Sequence, residues 1–169
     1  MAFQTTINVT QAPAVEGDFA SSNPRHSVPS VEGGFRAGAG GVTIARFAWA
    51  DVATNTLLLN AGSGPPTGFI HRDMNGLNFN YFASPDSTTF IIPPGFGVGE
   101  CFSGGDFWVR NTGAGAVAVG MKAFASLTTG QVQFAAAGAT VGGYVETKWF
   151  AETPCLANEL CKMSSLALG

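Results

Sequence analysis

The run Ser103-Gly-Gly-Asp106-Phe107-Trp108-Val109-Arg110-Asn111-Thr-Gly-Ala-Gly115 decides the fold class. A glycine-rich turn delivers four β-prone residues, and an Asn-Thr-Gly turn takes the chain away again. In an extended strand Phe107 and Trp108 point to opposite faces, so one fills a core and the other meets something else. The same punctuation continues in both directions. Upstream, Thr88–Ile92 and Val98–Phe102 are joined through Pro93-Pro-Gly95, where the prolines cannot donate to a ladder. Leu77, Phe79 and Tyr81 alternate with Asn78 and Asn80, a period of two, after an Asn75-Gly76 pair suited to a tight turn. Val42–Trp49, Thr56–Asn60 and Gly68–Arg72 are further strands. Downstream follow Ala116–Phe124, Gln131–Phe134, Tyr144–Ala151 and Leu160–Ser164, with the small-residue stretch 135–143 read as loop. Short strands with turns every 8–12 residues predict an all-β domain, a jelly-roll-like sandwich over residues 42–169.

Residues 1–41 read differently. Gln11-Ala-Pro-Ala-Val-Glu-Gly-Asp-Phe19, Asn23-Pro-Arg25 and Gly33-Gly-Phe35-Arg36-Ala-Gly38-Ala-Gly40-Gly41 show no sustained period. They lack the charge and keep the apolar side chains that disordered tails do not. The prediction is an extended N-terminal arm with a Gly-rich hinge, lying on another protein.

Only 19 of 169 residues are charged, and the formal net charge is −3 with a pI near 5.2. The eight Lys and Arg stand singly, which argues against nucleic acid as a partner. No apolar run approaches the roughly 18 residues of a membrane span, and Met1-Ala-Phe-Gln-Thr-Thr has no basic or apolar leader. Without an export signal, Cys101, Cys155 and Cys161 are expected as free thiols, a Cys155–Cys161 link being the alternative. On the same ground Asn8-Val-Thr10 carries no glycan.

Catalytic motifs fail on context. His71-Arg-Asp73 with Asn78 has kinase catalytic-loop spacing, but no phosphate-covering loop, strand lysine or Asp-Phe-Gly accompanies it. The glycines from Gly33 to Gly41 have Thr43 where a dinucleotide fingerprint needs its third glycine. His26 and His71 are too far apart in sequence to suggest a metal-binding jelly roll, and the acids are too scattered to suggest a glycosidase. No enzyme and no cofactor are expected.

Taken together, the chain resembles the structural cement proteins that decorate tailed-phage capsids. The likeness lies in Ala12-Pro-Ala-Val-Glu-Gly-Asp-Phe19-Ala-Ser-Ser-Asn-Pro-Arg25, Gly41-Val-Thr-Ile-Ala-Arg-Phe-Ala-Trp-Ala-Asp51 and Pro66-Thr-Gly-Phe-Ile-His-Arg72. It continues through Ile92-Pro-Pro-Gly-Phe96, Gly105-Asp-Phe-Trp-Val-Arg-Asn111, Gly120-Met-Lys-Ala-Phe124 and Glu146-Thr-Lys-Trp-Phe150. It closes at Asn158-Glu-Leu-Cys-Lys-Met-Ser164, where the family often has Gly-Glu-Leu-Val-Lys-Ile-Ser; Cys155 and Cys161 depart from the pattern. The resemblance implies a protein made in the bacterial host cytoplasm that binds the outer surface of a shell of major capsid protein with the HK97-like fold. It also implies a homo-oligomer, a dimer before a trimer.

Phe19, Arg25, Phe35 and Arg36 are the expected capsid contacts, since aromatic and Arg side chains dominate interface energetics. Packing against the arm's own domain is the alternative for each. Phe47, Trp49, Phe107 and Trp108 are expected in the core or a subunit interface. A carbohydrate-binding virion or cell-surface adhesin is the competing function, and its mark would be an exposed aromatic platform.

Overall fold

The structure is a computed structural model that describes residues 14–30, 33–51, 53–72 and 91–166. The expected strand at Leu77–Ala83, the turn before it and most of Thr88–Ile92 lie outside these residues. Thirteen strands and no helix occur among them. The early ones are β1 (His26–Ser27), β2 (Arg36–Ala37), β3 (Val42–Thr43), β4 (Phe47–Ala50), β5 (Leu57–Leu59), β6 (Gly68–Ile70) and β7 (Ile91–Ile92). The later ones are β8 (Cys101–Gly104), β9 (Asp106–Arg110), β10 (Lys122–Ser126), β11 (Val132–Ala135), β12 (Tyr144–Ala151) and β13 (Leu160–Ser164).

They form a six-stranded sheet of order β1-β8-β6-β4-β5-β2, a five-stranded sheet of order β11-β10-β12-β13-β9, and a small β3-β7 pair. The two larger sheets face each other, which makes the fold a β-sandwich. Alternation in the sequence shows why. Phe47 and Trp49 of β4, Phe69 of β6 and Phe102 of β8 point into the gap between the sheets. Their neighbours Ala48, Ile70 and Cys101 point to the other side, into a second cluster with Phe35, Ala37, Val42, Ile44, Leu58, Ile92 and Val98. The central strands β4, β6 and β8 are therefore covered on both faces and carry few polar side chains, while β1, β2 and β5 keep exposed positions. From the opposing sheet come Phe107, Val109, Ala123, Ala125, Val132, Phe134, Trp149, Ala151, Cys161 and Met163.

One residue, Gly105, carries the chain from β8 in one sheet to β9 in the other. Its φ is +136°, and an added Cβ would sit 3.0 Å from Arg25 Cγ and 3.3 Å from Phe107 Cε2. Only glycine turns this corner without strain.

Residues 14–30 and 33–41 lie on the sandwich. The backbone of 17–20 runs beside β9, β1 pairs with β8, and β2 pairs parallel with β5 while Phe35 and Ala37 enter the second cluster. The expected strand Val42–Trp49 is broken into β3 and β4 at Ala45, whose φ of +59° bends the chain from the small pair into the six-stranded sheet. Ala116–Phe124 yields a strand only from Lys122, because Val117 leaves to bridge Cys155.

Replacing Phe107 (0 % exposed) by Ala should lower stability by about 3–5 kcal/mol, read as a fall in the urea midpoint at unchanged slope. Leu156→Ala, at a side chain 60 % exposed, should leave the midpoint within about 0.5 kcal/mol of the parent.

Candidate interaction surface

The N-terminal segment reaches its place through a short ladder. Gly17 N–H donates to Trp108 C=O (2.7 Å), Trp108 N–H to Asp18 C=O (2.9 Å), and Ala20 N–H to Asp106 C=O (2.9 Å). Phe19 thereby sits opposite Phe107. Its ring stacks on His71 (centroids 4.0 Å apart) and meets Phe102 edge-on at 5.6 Å and Phe107 at 5.5 Å. Arg25 closes over the outer side, its Cζ 3.8 Å from the ring centroid. Such a cation–π contact is worth about 0.5–1 kcal/mol at an exposed site. Two ion pairs flank the ring: Glu16–Arg110 at 3.1 Å and Asp18–Arg72 at 3.2 Å. Each is partly exposed and contributes at most about 1 kcal/mol.

Asp106 holds the far end of this segment. Its carboxylate is buried and accepts Ser21 Oγ (2.5 Å), Asn23 Nδ2 (2.6 Å) and Ser164 Oγ (2.6 Å). Burial pushes the carboxyl upward. The hydrogen bonds from Ser164, Ser21 and Asn23, helped by the Lys162 charge, outweigh that and hold it below the ordinary carboxylate value. Residues 14–28 thus form a strap that crosses from the edge of one sheet to the edge of the other.

Phe35 and Arg36 lie at the opposite end of the six-stranded sheet, five strand spacings or about 24 Å from β1. Phe35 is 4 % exposed and packs inside the second cluster, so its ring serves this chain's own core. Arg36 is exposed and donates from Nη1 to Gly95 C=O (3.4 Å). The structure therefore pairs Phe19 with Arg25 and separates both from Phe35 and Arg36. Phe47 and Phe107 are fully buried. Trp49 is buried with Nε1 donating to Gly64 C=O (2.9 Å), and Trp108 lies half-buried on the outer face beside Lys162 Nζ, 5.4 Å from its centroid.

Beside Arg36 lies a surface that sequence reading missed. Leu57 is paired with Arg36, Leu59 touches Gly38, and Phe96 stands next to Gly97, which bridges Arg36. These three apolar side chains are 37–39 % exposed. Leu57 and Leu59 flank the inward-facing Leu58 on β5, so both point away from the second cluster, with Arg36 paired to Leu57 and Arg46 lining the same hollow as Leu59. Thr56-Leu-Leu-Leu-Asn60 gave no sign of it, because three consecutive leucines conceal which one faces inward; Leu58 does.

The three thiols are free and buried. Burial pushes Cys101 up to about 12 and raises Cys155 and Cys161 as well, which suppresses the reactive thiolate. Among the described residues, no three His, Cys, Asp or Glu side chains converge as metal ligands.

A model of the XM1 gp53 minor capsid protein family matches residues 3–165. Among solved structures, the chain is similar to one from the capsid of Myoviridae phage XM1. The two are 18 % identical, the match covers 98 % of each chain, and the TM-score is 0.67, a likeness of fold. No curated protein matches the sequence.

Asp106→Asn should cost about 1–3 kcal/mol, since the amide faces donors with a group that cannot accept from all of them. A native carboxyl held below its unfolded value of about 3.9 adds stability above that value and loses it as pH falls through the lower, native value. Thermal unfolding from neutral pH down to acid should show the parent and variant converging as that window is crossed. A constant gap between them would show that the charge contributes nothing.

Proposed function

Since the chain belongs to the XM1 gp53 minor capsid protein family, and so is a capsid-associated structural protein of a phage virion, we propose that it is a cement protein. It binds the outer surface of the assembled shell, across neighbouring major capsid subunits of the HK97-like fold, and does so as a homodimer. The observation that carries this reading is the family match over residues 3–165, which takes in the strap and the sandwich together. A protein that binds the lattice and not free subunits adds its binding free energy to assembly, about 2.7 kcal/mol per site at a free concentration one hundred times the dissociation constant.

The exposed side of β5 at Leu57 and Leu59, with Arg36 beside it, is the shell-facing shelf in this account. It combines exposed apolar side chains with one Arg, the composition of an interface centre. Arg25, exposed above Phe19, is a second contact at the opposite edge. The carbohydrate-binding alternative needs an aromatic platform. Among the described residues Trp49 and Trp149 are buried, and Trp108 is half-buried beside Lys162.

Co-sedimentation with shells stripped of this protein tests the proposal. The parent should pellet with shells, and a Leu57→Asp/Leu59→Asp variant should bind at least tenfold more weakly, a loss of about 1.4 kcal/mol, with its thermal transition retained. Binding should weaken only slightly from low to moderate NaCl, since only 19 of the 169 residues are charged. Full binding by the double variant would remove the shelf from the account, and a parent chain that ignores shells would overturn the cement reading itself.

A further inference from the structure

We propose that the strap is exchangeable between copies: residues 14–28 of one chain occupy the β9–β8 seam of a second chain, whose own strap does the same in return. The inference concerns the chain by itself and is independent of shell binding.

The composition of the seam is the first ground. Phe19 is a single aromatic anchor in a pocket of His71, Phe102 and Phe107, capped by Arg25. Both ion pairs among the described residues cross this seam, and so do the Ser21 and Asn23 bonds to Asp106. An aromatic anchor with a polar and charged rim is how contacts between separate molecules are built.

The connection to the rest of the chain is the second ground. Val28 N–H still bonds Cys101 C=O, and among the described residues the next backbone bond to the sandwich is from Val98 N–H to Phe35 C=O. Between these anchors Gly33 and Gly34 both have positive φ (+91° and +75°), and a Cβ on either would meet nothing within 4 Å. Paired unobstructed glycines make a hinge. Seven residue steps reach about 23–25 Å when extended, enough to cross to a copy laid against the same edge.

The third ground identifies the occupant. Lifting the strap would strip the β9 backbone of its partners at Asp106 and Trp108 and leave an open strand edge. The segment that restores every one of those bonds is the same segment of another copy. Contacts in the closed and exchanged forms are identical, so exchange costs little beyond bringing two chains together. Closure on the same chain prevails in dilute solution, and exchange grows with concentration.

The Glu16–Arg110 pair is the place to test this, being partly exposed and 3.1 Å apart. Two full-length single variants, Glu16→Cys and Arg110→Cys, one carrying a size tag, are folded together, oxidised and run on a denaturing non-reducing gel. The expected result is a covalent species at the sum of the two masses. It should require both variants, rise with the concentration at which they are folded together, and be absent from the parent, whose own thiols are buried. The Glu16→Cys/Arg110→Cys double variant shows that the bond forms at all. If it links within one chain at every concentration while the mixture gives no product at the summed mass, the strap is a fixed part of its own domain and the proposal fails.

Discussion

Phe107 is the residue on which the two sheets meet. Its ring lies 5.0 Å from Phe69, 5.3 Å from Phe102 and 5.7 Å from Trp149, and 5.5 Å from Phe19 of the strap. Tilted pairs at such separations add to the burial of the rings themselves. The sandwich, the corner at Gly105 and the seat of the N-terminal segment all converge on this one side chain. A large residue here sets the spacing of the layers. Ala123 and Ala125 of β10, small residues in the same cluster, leave room for these rings. Because the central strands of the six-stranded sheet are covered on their other face as well, the chain spends its apolar residues on two interiors. That is the physical origin of its low charge.

Edges are the remaining constraint on such a fold. β9 would end one sheet and β8 the other, each with unpaired backbone groups. The strap covers both, with three hydrogen bonds to β9 and the β1 ladder to β8. Asp106 joins the strap to β13 through three donors that share one buried carboxylate. On the far side, β2 is flanked by β5 and by the backbone of Phe96 and Val98, so that edge is covered too. Leu57 and Leu59 stay exposed on β5, and Leu156 stays exposed in the connection between β12 and β13.

Much of the fold was legible because period-two patterning survives wherever one face of a strand is buried. Tyr144–Ala151 and Leu160–Ser164 are strands with the bounds their sequence indicates, and residues 136–143 carry no strand. Other features left no local mark. Ala45 in a left-handed conformation splits a run that reads as continuous. β1 and β2 are two residues each and exist only through long-range pairing, so no periodicity could announce them. The change in composition at residue 41 is real, yet Phe35 and Ala37 before it are core residues. Among the expected contact residues, type alone singled out Phe19, Arg25, Phe35 and Arg36. Only the structure shows that they lie at two opposite edges, with Phe35 turned inward. The capsid association came from chain-wide likeness, which no single motif carries.

The direct measurement is quantitative protein staining of purified, tail-free capsids, comparing this chain with the main coat protein. A cement protein that spans neighbouring subunits across the whole shell should be present in hundreds of copies, in constant ratio to the coat. A handful of copies per particle, or none on capsids freed of tails, would contradict the account.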